Sequence, residues 1–95
     1  MHLQPLPAEP RIERGFPVEQ LFSVDGKTLR VDIDWRMIEI FLSGASPTPQ
    51  AVQAALRTHQ SSIERVVKAR LFAQGFPLSN DLVLTPTDFG ADQQQ

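Results

Sequence analysis

The dipeptide Asp25-Gly26 stands between two runs rich in β-forming residues, 18–24 and 27–33. A two-residue hairpin turn needs positive φ at its centre, which Asp and Gly accept readily. The turn dictates the pairing: Val24 opposite Lys27, Phe22 opposite Leu29, Gln20 opposite Val31 and Val18 opposite Ile33. One face then carries Val18, Phe22, Leu29, Val31 and Ile33, while Arg30 and Asp32 point outward opposite Leu21 and Glu19. A slip of one residue would bury Arg30 and Asp32, so the register is strongly specified.

The second constraint is the stretch 48–75, which reads as one long amphipathic helix. Thr48 is its N-cap and Pro49 its first residue, where a missing N–H costs nothing. Val52, Leu56, Ile63, Val66 and Val67 recur at spacings of three and four, and Gly75 closes it with Phe76 folding back and Pro77 forbidding continuation. At 1.5 Å per residue such a helix runs about 40 Å, against a diameter of about 25 Å for a domain this small. It must bend near Ser61-Ser62, fray at one end, or rest its overhang on a second copy. Because the apolar stripe continues through Leu71 and Phe72, the overhang would be sticky. A homodimer is therefore expected, with Ile63, Val66, Val67, Arg70, Leu71 and Phe72 as its interaction surface.

Between hairpin and long helix, Asp34 caps a shorter helix from Trp35 to about Leu42, ended by Gly44. Ile33 and Ile38 are placed for a hydrophobic staple across that cap, and Trp35 is expected at the edge. A final strand is expected over 82–85, with Pro86 stopping it and Phe89 tucked in beyond. The fold class is thus α+β: an antiparallel hairpin and a last short strand, with one short and one long helix on one face, in the order β-β-α-α-β. Residues 1–10, with Pro5, Pro7 and Pro10, read as a disordered tail. A short edge strand is conceivable within 11–17. Residues 11–89 form the single domain, and 90–95 a second disordered tail.

The turn sequence Val24-Asp25-Gly26-Lys27, the helical Ala55-Leu56-x-x-His59-x-x-x-Ile63 with Ala69, and the closing Leu84-Thr85-x-x-Asp88-Phe89 resemble the short bacterial proteins grouped as domain of unknown function fourteen-eighty-eight. The likeness covers residues 18–89. It implies a small α+β protein and supplies no activity, cofactor or catalytic residue. The proline-rich lead-in and the Gly75-Phe76-Pro77 connection depart from the family pattern.

Composition narrows the chemistry. The chain has no cysteine, hence no disulfide, thiolate metal site or thiol nucleophile. No apolar run is long enough to span a bilayer. Residues 1–10 lack the basic-then-apolar pattern of a secretory signal, so the cytoplasm is the expected compartment. Net charge is −2 overall, yet residues 48–75 carry Arg57, Arg65, Lys68 and Arg70 against Glu64 alone. A nucleic-acid-associated factor using that basic face is one alternative; the acidic balance of the rest argues against it.

His59 lies between Leu56 and Ile63 on the core side of the helix, either as a structural histidine or as the centre of an unrecognised enzyme. His2 falls in the tail and no His/Asp/Glu cluster has ligand spacing, so no metal or cofactor is expected. Asp25, Asp32, Asp34 and Asp88 each have a structural task rather than forming a catalytic pair. Ser61 and Ser62 lack a nucleophile motif, and Gly26 and Gly44 are isolated rather than part of a phosphate loop. Glu64 and Lys68 form a supporting i,i+4 pair. The function expected from the sequence is non-enzymatic, exerted through protein–protein contacts.

Overall fold

In the computed structural model, which describes residues 2–7 and 11–90, Asp25 and Gly26 both take positive φ, 51° and 88°. Strands β2 (Val18–Val24) and β3 (Lys27–Ile33) pair antiparallel about them in the expected register. Val18, Phe22, Leu29, Val31 and Ile33 are fully buried, and Val24 joins them. On the outer face Arg30 bridges Asp81 at 2.8 Å and Glu19 at 3.5 Å.

Asp34 caps α1 (Trp35–Leu42), its carboxylate accepting from the Arg36 amide at 3.0 Å. Ile33 and Ile38, the staple positions, are both buried. The helix ends with Ser43 in the left-handed region and Gly44 beyond it. Trp35, expected at the edge, is almost wholly covered.

The stretch expected to be one helix is two. Helix α2 (Pro49–Thr58) is capped by the Thr48 hydroxyl, which accepts from the Ala51 amide. Helix α3 (Gln60–Gln74) follows after a break at His59, whose φ of −102° and ψ of 15° leave the helical region. The bend foreseen near Ser61-Ser62 thus occurs two residues earlier, within a run of poor helix formers (Thr58, His59, Ser61, Ser62). The segments are about 15 and 22 Å long, and both fit a body of 35 × 31 × 20 Å. No 40 Å rod overhangs the sheet.

Strand β4 (Asp81–Leu84) lies beside β3 in parallel, Arg30 against Asp81 and Ile33 against Leu84. The sheet is therefore mixed, not antiparallel throughout. Breaking the long helix puts three helical segments between β3 and β4. A crossover of this length permits parallel pairing.

The lead-in is not a bare tail. Strand β1 (Leu3–Pro5) pairs antiparallel with β2 and completes a four-stranded sheet in the order β1-β2-β3-β4. Asp25 N–H donates to the His2 carbonyl and Leu6 N–H to the Leu21 carbonyl. Even-numbered residues thus bond to β2, and Pro5 faces the free edge, where no N–H is needed. The possible strand within 11–17 is instead a turn at 13–16. The tail assignments for residues 1, 8–10 and 91–95 fall outside the described residues.

Among the described residues, twenty apolar side chains form the core between the sheet and the helices. Phe89, on a 3-10 turn over Pro86–Phe89, enters it edge-on to Phe41 with ring centroids 5.6 Å apart.

Candidate functional site

Four residues of the expected interaction surface lie inside the molecule. Ile63, Val66, Val67 and Leu71 are buried in the core shared by the sheet and the helices. Arg70 is also engaged. Its Nη1 donates to the Val83 carbonyl at 3.0 Å and to Asp88 Oδ1 at 2.9 Å, tying α3 to the outer edge of β4 and to the final 3-10 turn. Asp88 Oδ2 in turn accepts from the Thr85 amide at 2.8 Å. Only Phe72 of that set stands in solvent, 91% exposed.

A second large apolar side chain is exposed beyond the C-terminal end of α3. Gly75 donates its N–H to the Leu71 carbonyl, and Phe76 turns back onto the core with Lys27 Nζ 5.3 Å from its ring centre. Pro77 and Asn80 then close a turn, the Asn80 amide donating to the Pro77 carbonyl. Leu78, between them, is fully exposed. A leucine at a turn tip carries no sequence signal of its own.

His59 is half-buried. Its ring lies flat on Phe41, centroids 4.4 Å apart and planes 11° apart. Among the described residues neither ring nitrogen has a hydrogen-bond partner, and an aromatic stack holds the ring instead. Three of the aspartates have separate partners: Asp25 takes the His2 amide, Asp34 holds Arg36, and Asp88 holds Arg70 and Thr85. Among the described residues no three His, Asp or Glu side chains come together as metal ligands, and no charged or polar side chain is fully buried. Glu64 accepts from Gln60 Nε2 at 3.1 Å, and Gln60 Oε1 takes the Gln20 amide at 3.5 Å, a chain that leaves Gln20 Oε1 buried and unpartnered. The Glu64–Lys68 pair expected from their spacing is not made; Gln60 holds the carboxylate instead.

One concavity of about 340 Å³ is lined by Arg14, Trp35, Glu39, Leu42 and the loop that ends at Pro47. Sequence reasoning singled out neither Arg14 nor Glu39. They are separated along the chain and meet only because the 13–16 turn is brought against α1.

Among the described residues no helix is long and apolar enough to cross a membrane. No family model matches the chain, and neither does any curated protein or solved structure.

Proposed function

We propose that this protein is a small non-enzymatic interaction module of the cytoplasm, a homodimer acting through protein–protein contact at the C-terminal end of α3. The observation that carries the reading is the exposure of Phe72 and Leu78, the two large apolar side chains that the fold leaves most completely in water. An aromatic ring buried at an interface contributes far more than its share of binding, and anchors of this kind dominate such contacts. The surface is smaller than the helix overhang suggested, and it reaches beyond the helix to Leu78. The resemblance to domain of unknown function fourteen-eighty-eight adds no activity to this proposal.

The rival use of Arg57, Arg65, Lys68 and Arg70 for nucleic acid is weakened because Arg70 is committed to Val83 and Asp88. An enzyme centred on His59 lacks a hydrogen-bonded carboxylate to orient the ring. Sedimentation velocity at micromolar concentration tests the proposal. A dimer mass for the native chain and a monomer mass for the Phe72→Glu, Leu78→Ser double variant are expected. A native monomer mass would sink the dimer.

A further inference from the structure

The cleft beside α1 is built by three local devices. Glu13 to Phe16 form a tight turn, the Phe16 amide donating to the Glu13 carbonyl at 3.0 Å. Gly15 takes the positive φ, 86°, that the third position of a type II turn requires. Arg14 is thereby displayed at the turn's tip. Trp35, Glu39 and Leu42 follow one another at spacings of four and three, so they share one stripe of α1. Ser43 and Gly44, both with positive φ, swing the chain back across the end of that stripe, and Pro47 completes the wall.

The charges are the informative part. Arg14 and Glu39 are exposed, opposite in sign and line the same cleft, yet they form no ion pair with each other. Neither side chain bonds to any other described residue. Glu13, next to Arg14 in the chain, is taken by Arg11 instead. Arg30, Arg36 and Arg70 all have carboxylate partners. The rest of the wall is mixed, formed by the small uncovered parts of Trp35 and Leu42 together with Gly44, Ala45, Ser46 and Pro47.

We propose that this cleft binds a small zwitterion with an apolar body, of the class of the free apolar α-amino acids. The planar fork of Arg14 matches a carboxylate. Glu39 receives the ammonium group, and the apolar side chain lies against Trp35 and Leu42. The volume is at the lower end of the range for small-molecule sites, which suits a ligand of few heavy atoms. A free amino acid carries both charges on adjacent groups, as one small cleft requires; the termini of a longer peptide lie too far apart. This inference is independent of the dimer.

Trp35 is the sole tryptophan of the chain, so its emission reports on this cleft alone. The full chain is titrated with L-leucine, L-valine and L-phenylalanine, and then with L-leucinamide and N-acetyl-L-leucine, with calorimetry as a second readout. Saturable binding of at least one amino acid is expected. For leucine, loss of either charged group should weaken binding about tenfold or more, since a hydrogen bond to a charged group is lost. Arg14→Gln should abolish the preference for leucine over leucinamide, and Glu39→Gln that over the N-acetyl derivative. Both variants should keep the native circular dichroism and melting temperature, because neither side chain is used by the fold. Absence of binding by both readouts for all three amino acids would overturn the proposal. Equal affinity for leucine and its two derivatives, or unchanged affinities in both variants, would do the same.

Discussion

The imidazole of His59 lies flat against Phe41, 4.4 Å between centroids, and Phe41 meets Phe89 at a right angle. The residue that interrupts the helical ladder is thus tied to α1 and, through it, to the end of the chain. The interaction is one of ring faces, not of a proton. His59→Phe should leave stability within about 0.5 kcal/mol, while His59→Ala loses about 1 kcal/mol, the scale of an aromatic pair. Urea denaturation of the three proteins checks this. Equal loss in both variants would show that the nitrogens matter and would reopen the catalytic reading.

Phe89 is the far end of the same stack and is 2% exposed. Phe89→Ala should cost about 3–5 kcal/mol, the range for deleting a buried phenyl ring. In a domain this small that is a large part of the total stability. The measurement is the denaturation midpoint; a shift worth under 1 kcal/mol would mean that the 3-10 turn is an appendage rather than part of the core.

The contrast between Leu3 and Leu82 tests the unexpected strand. Leu3 is half-buried and β1 is held mainly by backbone bonds, whereas Leu82, on the opposite edge strand, is 4% exposed and part of the core. Leu82→Ala should cost about 2–4 kcal/mol and Leu3→Ala only about 1 kcal/mol. Amide hydrogen exchange should follow the same order, with the Leu6 and Asp25 amides opening well before those between β2 and β3. Protection of the Leu6 amide equal to that of the hairpin would show β1 to be as firmly held as the core strands.

The hairpin was legible because its two signals, the Asp25-Gly26 turn and the alternation of Val31 and Ile33 with Arg30 and Asp32, demand the same register. The caps at Asp34 and Thr48 were legible for the same local reason. The break at His59 was not, since Leu56 and Ile63 are seven residues apart and the apolar stripe stays in phase across it. The parallel direction of β4 was hidden too, because a crossover of this length allows the strand to enter from either end. Strand β1 was masked by its prolines, which oppose strand formation except where their ring nitrogen faces a free edge. Charge counting also misplaced Arg70, because four basic residues on one segment look alike until Val83 and Asp88 are seen to hold one of them. The cleft gave no sequence signal, because Arg14 reaches it from a turn and Glu39 from a helix.

Arg70 and Asp88 are 26% and 17% exposed, and their 2.9 Å contact joins α3 to the final turn. Arg70→Leu and Asp88→Asn should each destabilise by about 1.5–3 kcal/mol, since each leaves the other group without its charged partner. The two losses should not add. A double-mutant cycle is expected to give a coupling of about 1 kcal/mol or more. Additive losses would mean that the Val83 carbonyl, rather than Asp88, is the partner that matters to Arg70.

Asp34 gives the fold a dependence on acid. Its carboxyl is held below the usual carboxylate range first by the hydrogen bond from the Arg36 side chain and then by that from the Arg36 amide at the start of α1. A carboxyl whose folded pKa is depressed stabilises the native state above its unfolded pKa, near 3.8, and loses that contribution as pH falls through the lower folded value. Stability should therefore be flat in this group at neutral pH and decline below about pH 4, where the unfolded chain begins to take up the proton first. Asp34→Asn keeps a capping side chain but has no proton to gain, so it should flatten part of the acid decline while lowering neutral stability only modestly. Asp34→Ala removes the cap as well and should cost about 1 kcal/mol at pH 7. Melting temperatures of the three proteins between pH 2.5 and 7 separate charge from cap. If Asp34→Asn retains the full acid slope of the native chain, the decline originates in other carboxylates and the Arg36 contact contributes nothing to it.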